Sequence, residues 1–204
     1  MDPNLNFVGL AADGGFAKYC VLDSDLVHVI PDSLSYEQAA LTEPAAVAVY
    51  AVRQSALKAG DTAAVFGLGP IGLLIVEALR AAGASKIYAV ELSPERQAKA
   101  EELGAIVVRP EEGETAVEAI HRLTNGGVDV SYEVTGVPVV LGQALATVHK
   151  AGECMVVSIW EREANINPNE FAIQEKTLKG IIAYRHIFPK VLELMEQGYF
   201  SAEK

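Results

Sequence analysis

Thr62-Ala63-Ala64-Val65-Phe66-Gly67-Leu68-Gly69-Pro70-Ile71-Gly72 is the stretch on which the fold turns. A short uncharged run ending in Val65-Phe66 leads into glycines at 67, 69 and 72. The run is too short for a helix and suits a strand buried on both faces. Pro70 suits the first turn of a helix, where its missing N–H costs nothing. A strand, a loop spaced GxGxxG and a helix, in that order, receive a diphosphate on the helix N-terminus. Gly67 permits the tight turn, Gly69 lets a diphosphate approach the backbone, and Gly72 lets the helix pack closely. Leu68, Pro70 and Ile71 complete the loop; Pro70 has no amide hydrogen, so donors must come from neighbours such as Ile71.

Outward from this loop the same alternation repeats. Short Val- and Ile-rich runs at 62–66, 86–91, 105–108, 128–133, 153–159 and 177–184 read as strands. Helical patterns lie between them at 70–83, 93–104, 115–124, 138–150 and 186–197. Ser93 and Glu95 stand where a cap and a favourable charge belong, and Gly83 and Gly104 where helices stop. Six strands joined by crossover helices predict right-handed βαβ units and a doubly wound, parallel α/β sheet of the Rossmann type.

In such sheets ligands bind beyond the carboxyl ends of the strands. The second run ends at Glu91, 19 residues past Gly72. A carboxylate at about that distance accepts the adenosine ribose hydroxyls and repels a 2′-phosphate, so the expected cofactor is NAD rather than NADP. Helping to cap the next helix is the alternative for Glu91. Arg96 is expected over the adenine or ribose edge, with a solvated surface position equally open. The exits Val134-Thr135-Gly136 and Ser158-Ile159-Trp160 point at the cofactor, with Thr135 and Gly136 expected near the nicotinamide ribose and Ile159 or Trp160 near the ring. Tyr184 and Arg185 leave the sheet at the same edge; for Arg185 and Trp160 an ordinary strand exit stays open.

The first 60 residues read differently. Residues 14–22 and 26–31 are strand-like, and a helical segment runs from Tyr36 to about Lys58, with Ser35 as cap and Pro44 at an internal start. This piece has no evident partner layer and is expected to be the closing edge of another domain. The expected division is 1–45 for that remnant and the start of its linking helix, and 46–204 for the nucleotide domain.

The formal net charge of -11 argues against nucleic acid as a partner. Backbone amides at a helix N-terminus still admit a small anion. The start lacks the basic and apolar pattern of a signal peptide, and no apolar run reaches the length of a membrane span. Cys20 and Cys154 read as reduced, packed thiols, and a cytoplasmic location is expected.

Beyond these motifs, the stretches Glu43-Pro44-Ala45-Ala46-Val47-Ala48-Val49-Tyr50, Ala89-Val90-Glu91-Leu92-Ser93-Pro94-Glu95-Arg96, Val128-Asp129-Val130-Ser131-Tyr132-Glu133-Val134-Thr135-Gly136 and Lys179-Gly180-Ile181-Ile182-Ala183-Tyr184-Arg185 join the glycine loop in a longer pattern. Together they resemble the zinc-dependent medium-chain dehydrogenases, and within that family its members acting on polyols and vicinal diols. The resemblance spans nearly the whole chain. It implies that Glu43 sits beside a catalytic zinc, that the other ligands, a Cys and a His-Glu pair, belong to an upstream chaperonin-10-like catalytic domain, and that residues 1–45 are the remnant of that domain. His28, His121, His149 and His186 show no metal-site spacing; His121 and His149 are expected on helices and His28 in a strand-like run. The chain is therefore expected to bind NAD without oxidising alcohols and without holding zinc.

For the parent enzyme the resemblance implies hydride transfer between a secondary alcohol or diol and NAD, with zinc as the Lewis acid. Two other readings are carried. One is an S-adenosylmethionine-dependent methyltransferase, against which Ile71 stands where a GxGxG loop wants its third glycine. The other is a non-enzymatic NAD-binding module. Relatives commonly pair through the cofactor domain, and the apolar 181–184 run is a possible edge for a homo-oligomer.

Overall fold

The computed structural model describes residues 7–201. The chain divides into two compact units between Ile30 and Pro31, upstream of the division expected at 45/46. In the first unit, residues 7–30 hold one isolated bridge, Val8 to Ala12, and a 3-10 turn Ser24–Leu26 in which the Asp23 carboxylate accepts from Asp25 N. The strands expected at 14–22 and 26–31 are absent among the described residues, and His28 lies in irregular chain. An extended segment becomes a strand only when its N–H and C=O groups find a partner. No neighbouring strand is present among the described residues of that unit, and Leu10, Tyr19, Val21 and Val29 stand largely exposed.

The second unit holds helices α1 (Tyr36–Ala40), α2 (Thr42–Gln54), α3 (Pro70–Ala81), α4 (Pro94–Glu102), α5 (Ala116–Thr124), α6 (Pro138–Thr147), α7 (Asn169–Ala172) and α8 (Phe188–Glu196). Its strands are β1 (Thr62–Phe66), β2 (Lys86–Val90), β3 (Ile106–Val107), β4 (Val128–Glu133), β5 (Val148–Val156) and β6 (Thr177–Gly180). All pairings are parallel, in the order β3-β2-β1-β4-β5-β6. The expected doubly wound sheet is therefore present. β1 and β4 are adjacent in space but belong to opposite halves of the sheet, so the crevice opens at their carboxyl ends.

Both faces of the sheet are covered. Ala64 and Phe66 of β1 join an apolar cluster with Ile120 of α5 and Leu141, Ala144 and Leu145 of α6. With side chains alternating along a strand, Ala63 and Val65 face the opposite layer, and they too are fully buried. Double burial explains why β1 carries no alternation of polarity. Ser93 caps α4, and Thr115 and Glu118 form a reciprocal capping box on α5.

Four boundaries differ from the sequence reading, each for a local reason. The single helix expected from Tyr36 breaks at Leu41, because Pro44 has no N–H to offer Ala40 and its ring opposes that carbonyl. Ser35 does cap α1. The helix expected over 138–150 stops at Thr147, so His149 lies in β5, not on a helix. A bulge explains the early start of β5: Val128 pairs with Val148 but Val130 pairs with Glu153, and Ala151 takes φ +64°. Residues 181–184, expected to extend the edge strand, turn out of the sheet after Gly180, with Ala183 at φ +49°. No helix among the described residues is long and apolar enough to cross a membrane.

Candidate nucleotide-binding site

The glycine loop sits between β1 and α3, and its three glycines differ in what surrounds them. Gly67 has φ +90°, and a Cβ there would meet the Thr135 methyl at 2.5 Å. At Gly72 a Cβ would lie 1.9 Å from the Gly67 carbonyl oxygen, so the first turn of α3 rests directly on the loop backbone. Gly69 has φ -65° and nothing within 4 Å of its Cβ position. Folding therefore demands Gly67 and Gly72, while Gly69 borders open space.

Gly69 is the residue that precedes the first turn of α3. No side chain caps this helix, in contrast to α4 and α5. The first intrahelical bond is made by Leu73, to the Gly69 carbonyl. The amides of Ile71 and Gly72 precede it and have no helical carbonyl one turn back. Pro70 contributes no donor but fixes the turn. A helix N-terminus with uncapped amides and a partial positive charge is suited to an anion.

Glu91 follows β2 and binds the loop from the other side. Its Oε2 accepts from Leu68 N at 2.9 Å, and its Oε1 from Leu92 N at 2.7 Å and Ser93 N at 3.0 Å. Glu91 therefore serves the start of α4, the alternative reading of its role, and also reaches the glycine loop. Burial, the largest influence, raises its pKa, but the amides of Ser93, Leu68 and Leu92 together with Arg96 outweigh it and hold the carboxyl below its usual range. The side chain is a carboxylate at neutral pH. A carboxylate offers about four acceptor positions; three amides leave room for a hydroxyl. Arg96, exposed on the first turn of α4, brings a guanidinium nitrogen to 3.6 Å of Oε2.

The far wall comes from the exits of β4 and β5. Glu133, fully buried at the end of β4, accepts from Thr135 N at 2.7 Å, Thr135 Oγ1 at 2.5 Å and Gly136 N at 3.0 Å through Oε1, while Ser158 Oγ donates to Oε2. Gly136 takes φ +70°, and a Cβ there would meet the Ile159 carbonyl at 2.9 Å. Val134 N continues the sheet by donating to Phe66 O. Thr135 and Ile159 are exposed at the mouth. Trp160 instead packs against the apolar cluster under α6, with its Nε1 buried and without a hydrogen-bond partner. Sequence reasoning passed over Glu133; its one local signal is a strand-ending Glu followed by Thr-Gly, which sets donors two and three residues on.

Glu43 is exposed on the first turn of α2, against Tyr184, whose phenol is pushed up to about 12 by burial and then by the Glu43 carboxylate. Among the described residues no three His, Cys, Asp or Glu side chains gather as a metal site. One carboxylate does not make the ligand set of a four-coordinate zinc, so the donors present here do not fit the metal. Cys154 is buried, its thiol pushed up to about 12 by burial, whereas Cys20, expected to be packed, is exposed.

Comparison with known proteins bears on this geometry. The family model described as zinc-binding dehydrogenase matches residues 70–197. The chain belongs to the zinc-binding dehydrogenase family. It is 62% identical to (R,R)-butanediol dehydrogenase of Bacillus subtilis over 205 residues, covering 100% of this chain and 59% of that protein. It is 37% identical to sorbitol dehydrogenase of the same organism, over 96% of this chain and 56% of that protein. The crystal structure of Bacillus subtilis 2R,3R-butanediol dehydrogenase superposes with a TM-score of 0.92 at 63% identity, over 97% of this chain and 57% of that one. A Sinorhizobium meliloti family structure bound to NADP superposes with a TM-score of 0.89 at 29% identity, over 96% of this chain and 59% of that one. The chain thus spans less than two thirds of the length of these relatives.

Proposed function

We propose that this chain is the NAD-binding part of a zinc-dependent dehydrogenase of secondary alcohols and vicinal diols, of the butanediol/acetoin type, and that it binds NAD without turnover by itself. The open space at Gly69, the N-cap residue of α3, and the absence of a side-chain cap on that helix carry this reading. A diphosphate there takes the amides of Ile71 and Gly72, and Glu91 takes an adenosine ribose hydroxyl. The Glu91 anion disfavours a 2′-phosphate, which selects NAD over NADP. Val134, Thr135, Gly136, Ser158 and Ile159 wall the nicotinamide end. NAD supplies the hydride acceptor, and the chain supplies its placement. The likeness to the butanediol and sorbitol dehydrogenases supports the substrate class.

The test is fluorescence titration with NADH and NADPH, with S-adenosylmethionine as competitor. NADH is expected to bind more tightly than NADPH, and Glu91→Arg to reverse the order. Displacement by adenosylmethionine, or an order unchanged by Glu91→Arg, overturns the assignment.

A further inference from the structure

The buried carboxylate of Glu133 is the feature that the proposed role leaves unused. It is fully buried, comes from the last residue of β4, and accepts from groups on two different loops. Thr135 and Gly136 hang from Oε1 through two amides and a hydroxyl, and Ser158 hangs from Oε2. The two loops also meet directly, since a Cβ on Gly136 would strike the Ile159 carbonyl at 2.9 Å. Thr135 in turn abuts Gly67, whose Cβ position is 2.5 Å from the Thr135 methyl. One carboxylate therefore fixes the exits of β4 and β5 relative to each other and sets both against the glycine loop of β1. Hydrogen bonds from four donors to one side chain tie this part of the crevice wall together.

We propose that Glu133 is a positioning residue for the nicotinamide half of the cleft, acting through Thr135, Gly136 and the Ser158–Ile159 exit rather than by touching the ligand. The inference rests on the nucleotide reading given above. The adenosine half is held elsewhere, by α3 and Glu91, so the two halves are separable by experiment. Removing the carboxylate leaves two amides and two hydroxyls of the far wall without their acceptor, and the loops relax from the geometry that receives the ring. Replacement by Gln keeps an acceptor oxygen for the amides, and its NH2 group donates to the Ser158 hydroxyl, which can turn to accept. The acceptor geometry, not the charge alone, is what the ring end requires.

The experiment is calorimetric titration of the full chain with NADH and, separately, with ADP-ribose, which lacks the nicotinamide ring, alongside thermal unfolding. Wild type is expected to bind both. Glu133→Ala is expected to lose NADH affinity at least tenfold while ADP-ribose stays within twofold, and Glu133→Gln to return NADH affinity to within threefold of wild type. Ser158→Ala removes one tether and carries the test if Glu133→Ala does not fold; it is expected to weaken NADH two- to fivefold and leave ADP-ribose unchanged. Equal losses for both ligands, no loss in any variant, or a Gln variant as weak as Ala overturns the positioning role alone. A folded wild type that binds neither ligand overturns the nucleotide reading and this role with it.

Discussion

Gly72→Ala and Gly69→Ala differ by one methyl at two points of one loop, and the structure assigns them opposite consequences. At position 72 the new Cβ would stand 1.9 Å from the Gly67 carbonyl oxygen and 2.9 Å from its carbon, where ordinary contact begins at 3.4 Å. The loop must retreat by about 1.5 Å to relieve this. It has nowhere to go. Gly67 N donates to Val90 O at 2.9 Å, Leu68 N donates to Glu91 at 2.9 Å, and Gly67 backs onto Thr135. Overpacking a site that cannot yield costs ~3 kcal/mol or more. At roughly 2–4 °C per kcal/mol for a domain of this size, the melting temperature should fall by about 6–12 °C. Position 69 has negative φ and no neighbour within 4 Å, so Ala fits the backbone there. Ala is a poorer N-cap than Gly by ~0.5–1 kcal/mol, a loss of about 1–4 °C. Its methyl takes up open space beside the first turn of α3, and NADH affinity should drop at least ~tenfold, or ~1.4 kcal/mol. Thermal unfolding by circular dichroism and NADH titration on both variants read the two effects separately. A Gly72→Ala protein melting with wild type refutes the steric argument. Undiminished NADH binding by Gly69→Ala refutes the placement of the ligand over that glycine.

Two further outcomes concern the opposite end of the sheet and the end of α2. Burial lowers the His149 pKa, but the Asp129 hydrogen bond, the Lys150 carbonyl and the Asp129 and Asp61 charges together raise it above the ordinary 6.5. That stabilisation is complete below pH 6.5 and is lost as pH rises through the folded value; the Asp129 share, whose pKa is lowered, disappears only as pH falls below its ordinary 3.8 through the folded value. Wild type should therefore exceed His149→Gln in melting temperature at pH 5.5 by ~1–2 °C, modest because both side chains are partly exposed, and the gap should close by pH 8.5. Tyr132, fully buried, shares a 2.8 Å hydrogen bond with Ser55 Oγ at the end of α2. Ser55 retains its bonds to Val52 O and Leu57 N, so Tyr132→Phe should cost only ~1 kcal/mol, or about 2–4 °C in the same assay.

The fold was legible where burial acts on both sides of a strand. Residues 63–66 of β1 and 87–90 of β2 are continuous apolar runs, buried or nearly so, and β4 interrupts such a run only with Asp129 and Ser131; the strand ends are marked by glycine, Glu91 and Glu133. Legibility failed where pairing, not composition, defines the strand. β5 opens with Val148-His149-Lys150, two of them polar, and reads as the end of a helix; only the bulge at Ala151-Gly152, set by contact with β4, makes it a strand. The runs at 14–22 and 26–31 failed in the other direction, since apolar residues with strand propensity remain irregular when no backbone pairs with them.

The site divides along the same line. Its adenosine half is written in residues whose special property is local: glycines at fixed intervals, a proline in a first turn, and a carboxylate ending a strand. The other half depends on which distant groups come together. Nothing near Trp160 in sequence says that it turns into the core while its neighbour Ile159 stays exposed, because the choice is made by packing under α6. Nothing in Glu133 itself says that a charged residue ends a buried strand, because its acceptance comes from Ser158, 25 residues on, as much as from Thr135 beside it. A buried carboxylate survives only if every lone pair it presents is claimed, and those claims are tertiary. What sequence leaves unread in this half is therefore the tertiary hub that sets the geometry of the loops it names. Loop replacements at 134–136 and 158–160 that ignore Glu133 should accordingly fail together, not one by one.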